Sequence, residues 1–393
     1  VAGLQSDSWQ GNDHDNDSFV MLSYGKGAFR MKPNRFVVLE NGQVFSGKPF
    51  GAEGDILGEI VFTTGMTGYL ETLTDPSYYG QIVIQTFPLI GNYGVIPADF
   101  ESSSPKVKAY IVREWCQVPS NFRCEGELDA FLKEHNIPGV YQIDTRELTK
   151  VIREVGVMNA KITSEIDDLD KILTEIRSYR IENAVESVSS SEISIDQGEP
   201  GGFKVVLWDF GAKENIRREL LKRGCEVITV PSSTTAEAIA GLKPDGIMLS
   251  NGPGDPVDNK EIICELARLS ETGLPIYGIC LGHQLLALAQ GGQTAKLKYG
   301  HRGANQPVKD LKLGKVYITS QNHGYAVVPE SLPAHAVMRF VNVNDGTCEG
   351  IEYKNMPAFS TQFHPEASAG PLDTCYLFDQ FMDLMREEKA KCR

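Results

Sequence analysis

Gly278-Ile279-Cys280-Leu281-Gly282 stands between a short apolar run at 274–279 and a helix-forming run at 285–290. An apolar run that short reads as a buried strand, and a strand that passes into a helix within a residue or two must turn sharply. Glycines two positions to either side of Cys280 make room for that turn. The pattern therefore predicts a strand, an elbow and a helix, with a thiol at the helix N-terminus, where unpaired backbone N–H groups favour the anion. A free thiol ionises at about pH 8.5, so a nucleophilic cysteine near neutrality needs such help. His364-Pro365-Glu366 follows a strand-like run at 358–363. It offers an imidazole with a carboxylate two residues on, placed to fix the ring's tautomer. Together these residues predict a thiolate that attacks a carbonyl carbon.

The elbow sits within a repeating pattern. From residue 203 onward, runs at 204–210, 225–230 and 246–250 read as strands, and 213–223 and 262–269 as helices. Thr234, with Glu237 three positions on, reads as the cap of another short helix. Such alternation predicts a parallel sheet covered by helices, with chemistry at the carboxyl ends of the strands. The Gly211 turn, the loop Asn251-Gly252-Pro253-Gly254-Asp255-Pro256 and Cys280 all fall at such ends. The 252–254 loop is either a backbone wall approaching a substrate or oxyanion, or a plain tight turn. Gln321-Asn322-His323-Gly324-Tyr325, after a strand at 316–319, has the same two readings: substrate contacts, or a turn with satisfied side chains. His283, three residues along the helix from Cys280, projects beside the thiol rather than across a substrate, so His364 is the preferred base.

At 393 residues the chain exceeds one ordinary core, and two domains are expected. Residues 31–185 are mixed. A hairpin turns at Asn41-Gly42, strands follow at 59–63, 81–86 and 107–112, and helices at 127–134 and 144–154. The last of these opens with the capping pattern Asp144-Thr145-Arg146-Glu147. Residues 186–202, rich in serine, glutamate and glycine, read as a linker to a second domain at 203–393. Residues 1–30 are polar and lack the basic start and apolar core of a targeting peptide, so a disordered extension is expected there. The formal charge of −14 argues against a nucleic-acid surface. None of the eight cysteines forms a C-x-x-C pair, so no zinc site is expected. With no secretory signal and no apolar run approaching about 18 residues, a soluble cytoplasmic protein with reduced thiols is expected. Neither G-x-G-x-x-G nor G-x-x-x-x-G-K-[ST] occurs, so no nucleotide cradle is expected in this chain.

Residues 278–284 with His364-Pro365-Glu366 resemble the class I (triad) glutamine amidotransferases. Thr67-Gly68-Tyr69, Leu73-Thr74-Asp75-Pro76-Ser77-Tyr78, Ile90-Gly91-Asn92-Tyr93-Gly94 and Asp144-Thr145-Arg146 resemble the N-terminal domain of the small, glutamine-hydrolysing chain of carbamoyl-phosphate synthase. Asp209-Phe210-Gly211-Ala212-Lys213, residues 250–256 and Gly300-His301-Arg302-Gly303 resemble the same chain, in order, from about Met31 to the end. Phe363 and Tyr325 are mild variations on that pattern.

The resemblance implies an α/β protein: a swivelling β/β/α domain, then a class I glutamine amidotransferase domain with a flavodoxin-like parallel sheet flanked by helices. It implies Cys280 as nucleophile, His364 as general base and then acid, and Glu366 as its orienting partner. It implies glutamine contacts at Ser77, Gly252, Gly254, Leu281, Gln284, Asn322, Gly324 and Tyr325, with the N–H groups of Gly254 and Leu281 as the oxyanion hole. It further implies no cofactor or metal on this chain. The partner is a large chain, in a heterodimer or higher oligomer, which carries ATP and magnesium and uses the ammonia to make carbamoyl phosphate for arginine and pyrimidine synthesis. The glutaminase component of another synthase, such as anthranilate or GMP synthase, resembles only the second domain, so residues 31–185 weigh against it. A scaffold without turnover is weighed against by the intact Cys280, His364 and Glu366.

Overall fold

Arg35–Leu39 and Val44–Gly51 pair antiparallel across Asn41-Gly42, with Val38 opposite Val44. Gly42 takes the positive φ, 88°, that so tight a reversal needs. The computed structural model describes residues 34–391, so the extension expected at 1–30 lies outside the described residues. The hairpin is part of a closed barrel. Its strands run in the order Arg35–Leu39, Val44–Gly51, Pro138–Tyr141, Ala109–Ile111, Gln81–Gln85, Ile56–Thr63, Met158–Thr163, and then back to the first. Closure removes the free edges that so short a sheet would expose. Val37, Ile60, Ile82, Ile111, Val140 and Ile162 fill one cluster, which Leu148 and Ile152 of the helix Thr145–Val155 join. That helix starts as its sequence predicts: the Asp144 carboxylate accepts the Glu147 N–H at 3.0 Å. The strands Pro138–Tyr141 and Met158–Thr163 and the helices Tyr69–Thr74 and Leu169–Ser178 were not anticipated. The two strands carry Pro138, Gly139, Asn159 and Lys161 among apolar residues, which blurs the strand pattern, and barrel closure holds them.

The second half forms a ten-stranded sheet. Five strands run parallel: Lys204–Asp209, Glu226–Pro231, Gly246–Leu249, Ile276–Ile279 and Ala358–Thr361. Numbered along the chain, they lie side by side as 2-1-3-4-5, the flavodoxin-like order. They are almost wholly buried, as parallel strands covered on both faces must be. Trp208, Ile247 and Leu285 pack on one face, and Leu207, Met248, Tyr277 and Phe378 on the other. Antiparallel strands extend the sheet beyond this core. Cys348–Tyr353, Ala336–Asn342, Thr294–Asp310 and Val316–Val327 continue it on one side.

Several sequence expectations change. The stretch expected as a linker contributes the strand Ser194–Asp196, which pairs with Glu226–Pro231 at the opposite edge. Thr235, not Thr234, caps the helix Ala236–Gly241, its hydroxyl accepting the Ala238 N–H at 3.3 Å, while Thr234 donates to Pro231 O. Gln321 to Tyr325 lie inside the strand Val316–Val327 rather than in a turn after it. Their polarity, which disguised the strand, belongs to a stretch that lines a cleft.

Candidate active site

The strand Ile276–Ile279 ends at Cys280, and the helix Leu281–Ala289 begins on the next residue. Cys280 carries the turn with φ 53° and ψ −103°, a conformation that a side chain rarely adopts. Its N–H donates to Thr361 O at 2.8 Å, and the Gly282 N–H donates to Ser250 O at 3.0 Å, which pins the elbow to both neighbouring strands. The flanking glycines are needed for close approach. A Cβ on Gly278 would lie 2.8 Å from the Gly282 carbonyl carbon, and one on Gly282 would lie 2.5 Å from Leu249 O. The thiol is buried, with Sγ 3.7 Å from Asn322 O.

The strand Ala358–Thr361 brings His364 to the same end of the sheet. The His364 N–H is held by Ser320 O at 2.9 Å, and its Nδ1 lies 2.6 Å from Glu366 Oε1. A carboxylate accepts, so Nδ1 carries the proton and Nε2 is left free of any protein partner. Burial and the Lys213 ammonium both pull the basicity of His364 down, but the charges of Glu366 and Cys280 outweigh them and hold it above the ordinary histidine range. Burial raises Glu366, and the His364 and Lys213 cations reverse this and hold it ionised. The arrangement favours an imidazolium at His364. His283 is different. Its Nδ1 lies 2.8 Å from Ser360 Oγ, and burial pushes it down to about 3, so it stays neutral and engaged with the sheet.

The first domain completes the site. The Asp75 carboxylate accepts the Ser77 N–H at 2.9 Å with one oxygen and the Asn322 side-chain amide at 2.9 Å with the other. Ser77 Oγ accepts from Asn251 Nδ2 at 2.9 Å. The resulting cleft, of about 450 Å³, is lined by Cys280, Ser77, Gly252 and Gly254, together with Gln284, Asn322, Gly324 and Tyr325. Leu281, also expected at the site, has its side chain buried in the core, so only its backbone faces the elbow. Gly252 admits no Cβ, which would lie 2.3 Å from Phe210 O. Gln284 donates to Tyr325 O at 2.8 Å and to Gln362 Oε1 at 2.9 Å, bracing the cleft wall.

With this geometry in place, comparison with known proteins is specific. Residues 37–162 match the family described as carbamoyl-phosphate synthase small chain, CPSase domain. Residues 206–384 match glutamine amidotransferase class-I. A carbamoyl phosphate synthase small chain from Listeria monocytogenes serotype 4b is 51% identical over 353 residues, which is 89% of this chain and 96% of that protein. One from Clostridium perfringens is 51% identical over 346 residues, 88% of this chain and 98% of its own length. One from Bacillus cereus (strain ATCC 10987) is 52% identical over 358 residues, 91% of this chain and 97% of its own length. This chain belongs to the carbamoyl-phosphate synthase small-chain family. A solved glutamine amidotransferase from Thermotoga maritima aligns with 48% of the chain and 86% of its own at 17% identity and a TM-score of 0.36, a likeness too distant to carry weight.

In this small chain the two domains share charges behind His364. Lys213 Nζ lies 3.6 Å from Asp75 Oδ2 and 3.7 Å from Glu366 Oε1, all three side chains buried. Burial works against the Lys213 cation, but Asp75, Glu366 and Glu101 restore it and raise its basicity. Burial likewise raises Asp75, and Lys213 and His364 bring it below the usual carboxylate range. Asn215 donates its N–H to Glu101 Oε2 at 3.0 Å and its side-chain amide to the backbone carbonyl of Glu366, tying a first-domain carboxylate to the segment that carries Glu366. Asp75, Glu101 and Lys213 were missed as site residues. Asp75 and Lys213 stand within quoted motifs, but only the docking of the domains shows what they touch.

Proposed function

We propose that this small chain hydrolyses glutamine through a thioester on Cys280 and passes the ammonia to a large, ATP-dependent chain that makes carbamoyl phosphate. The observation that carries the reading is the buried His364–Glu366 pair, whose free Nε2 belongs to the same charge cluster as the elbow thiol. The thiolate adds to the side-chain carboxamide carbon, and the N–H groups of Gly254 and Leu281 hold the oxyanion that develops. The His364 imidazolium gives its Nε2 proton to the leaving nitrogen, ammonia departs, and a glutamyl thioester remains. Now neutral, His364 takes a proton from water, which attacks the thioester. Glutamate leaves, and the thiolate–imidazolium pair is restored. Ser77, Gly252, Gln284, Asn322, Gly324 and Tyr325 orient the glutamine.

The large chain pairs with this one as a heterodimer, supplies ATP and magnesium, and works in the cytoplasm toward arginine and pyrimidines. Among the described residues no helix is long and apolar enough to cross a membrane. The deciding experiment pairs the chain with a purified large chain. Cys280→Ser is expected to abolish carbamoyl phosphate formation from glutamine and to leave formation from free ammonia largely intact. Wild-type use of glutamine by that variant would end the reading.

A further inference from the structure

The expectation of no zinc site rested on the lack of paired cysteines, yet metal ligands need only lone pairs aimed at one point. His301, His323 and Glu349 lie on three different strands, Thr294–Asp310, Val316–Val327 and Cys348–Tyr353, and the ligand atoms they offer lie within 4.8 Å of one another. Each ring has one nitrogen already committed. His323 Nδ1 is 2.7 Å from Tyr325 O, and His301 Nε2 is 2.8 Å from Asp345 Oδ2. Carbonyl and carboxylate oxygens only accept, so those nitrogens hold protons. Burial keeps His323 neutral, so its Nε2 presents a lone pair. Burial pulls His301 down too, but Glu349 and Asp345 outweigh it and raise that ring, so a proton and a metal ion compete for its Nδ1.

Both of these nitrogens face acceptors. His301 Nδ1 stands 3.5 Å from Glu349 Oε1 and makes no hydrogen bond, although only 9% of the residue is exposed. His323 Nε2 faces Gln321 Oε1 at 3.1 Å, acceptor against acceptor. Turning the Gln321 amide over does not help. Its other terminal atom lies 3.0 Å from Glu349 Oε2, so the amide oxygen would then face a carboxylate. In either orientation one pair of acceptors lacks a cation between them.

We propose that His301 Nδ1, His323 Nε2 and Glu349, with the Gln321 carbonyl oxygen as fourth ligand, form a binding site for a zinc-like divalent transition-metal ion. A tetrahedral ion with bonds of about 2.0–2.1 Å sets its ligands roughly 3.3 Å apart. The His301–Glu349 separation of 3.5 Å and the His323–Gln321 separation of 3.1 Å already fit, and to draw in the rest Glu349 exchanges its bonds from Asn342 Nδ2 at 3.2 Å and Gln321 Nε2 at 3.0 Å for the ion. Asp345 and the Tyr325 carbonyl are the outer partners that orient metal-bound imidazoles. Imidazole with carboxylate and amide oxygen favours zinc, cobalt or nickel over magnesium. His323 also lines the glutamine cleft, which gives an ion a way in. Four protein ligands leave no open position, so the ion stiffens the wall at Tyr325 O, to which Gln284 also donates, and adds no chemistry of its own.

The test loads chelator-treated full-length chain with cobalt(II) and zinc. The expected result is one equivalent of cobalt with visible ligand-field bands of a nitrogen–oxygen tetrahedron and no thiolate charge-transfer band, together with a higher melting temperature in zinc. Glu349→Gln is expected to lose both. Asp345→Asn alters a side chain that is 43% exposed, which makes it the safer variant for folding. It is expected to weaken cobalt binding by about 10–100-fold. Cobalt taken up only with thiolate bands, or no uptake at all because a proton fills the gap, overturns the proposal. So does binding unchanged by Asp345→Asn.

Discussion

Lys213 is a cation set among the buried carboxylates Asp75, Glu366 and Glu101, and removing it strands them. Breaking a buried pair from one side costs about 3–5 kcal/mol, because the remaining charge has lost its compensation without regaining water. Lys213→Met is therefore expected to lower unfolding stability in urea by that order. Adding Asp75→Asn should recover part of the loss, since it removes one stranded charge. A loss below about 1 kcal/mol in the single variant would show that solvent, not Lys213, balances the cluster.

At the scale of elements, the elbow depends on how closely the helix Leu281–Ala289 lies on the strand Gly246–Leu249. Gly282→Ala places a Cβ 2.5 Å from Leu249 O, a backbone atom that cannot swing aside. Overpacking of this kind costs about 1–3 kcal/mol, and here the shift falls on the residue next to Cys280. Denaturant unfolding should show that loss, and glutaminase turnover should fall at least about tenfold, since misplacing reacting groups by an ångström is that costly. Gly241→Ala, with nothing within 4 Å of its Cβ, is the control and should leave both unchanged or slightly improved. The elbow was legible because its requirement is local: a short apolar run, two glycines and a helix former. Pro138–Tyr141 was not legible, because its reason to be a strand is the barrel neighbours on either side.

For the whole molecule, Glu101 is the group whose state reports on the docking of the two domains. Burial pushes its carboxyl up to about 7, against the pull of Lys213. A free glutamate ionises near pH 4.3, so between about pH 4.5 and 7 the folded state holds a proton that the unfolded chain has released. Stability then falls as pH rises through that window. Glu71, pushed up to about 7 chiefly by burial, acts in the same sense. Glu101→Gln is expected to flatten the fall in melting temperature between pH 4.5 and 7 and to raise the value at pH 7 or above. An unchanged profile would show that Glu101 is ionised throughout.

The amino-acid sequence by itself determined what short-range geometry can determine. It set the elbow at Cys280, the spacing of His364 and Glu366, the capped helix after Asp144 and the alternation that yields a parallel core. Each depends on residues within a few positions of one another, where steric limits and backbone hydrogen bonding decide. Only the tertiary structure decided that Asp75 and Ser77 of the barrel meet Asn322 and Asn251 of the sheet, that Lys213 balances charges from both domains, and that His301, His323 and Glu349 converge. Those contacts join residues far apart along the chain. They exist because burying two apolar faces fixes how the parts dock, and buried charges and lone pairs must then find partners across whatever interface results.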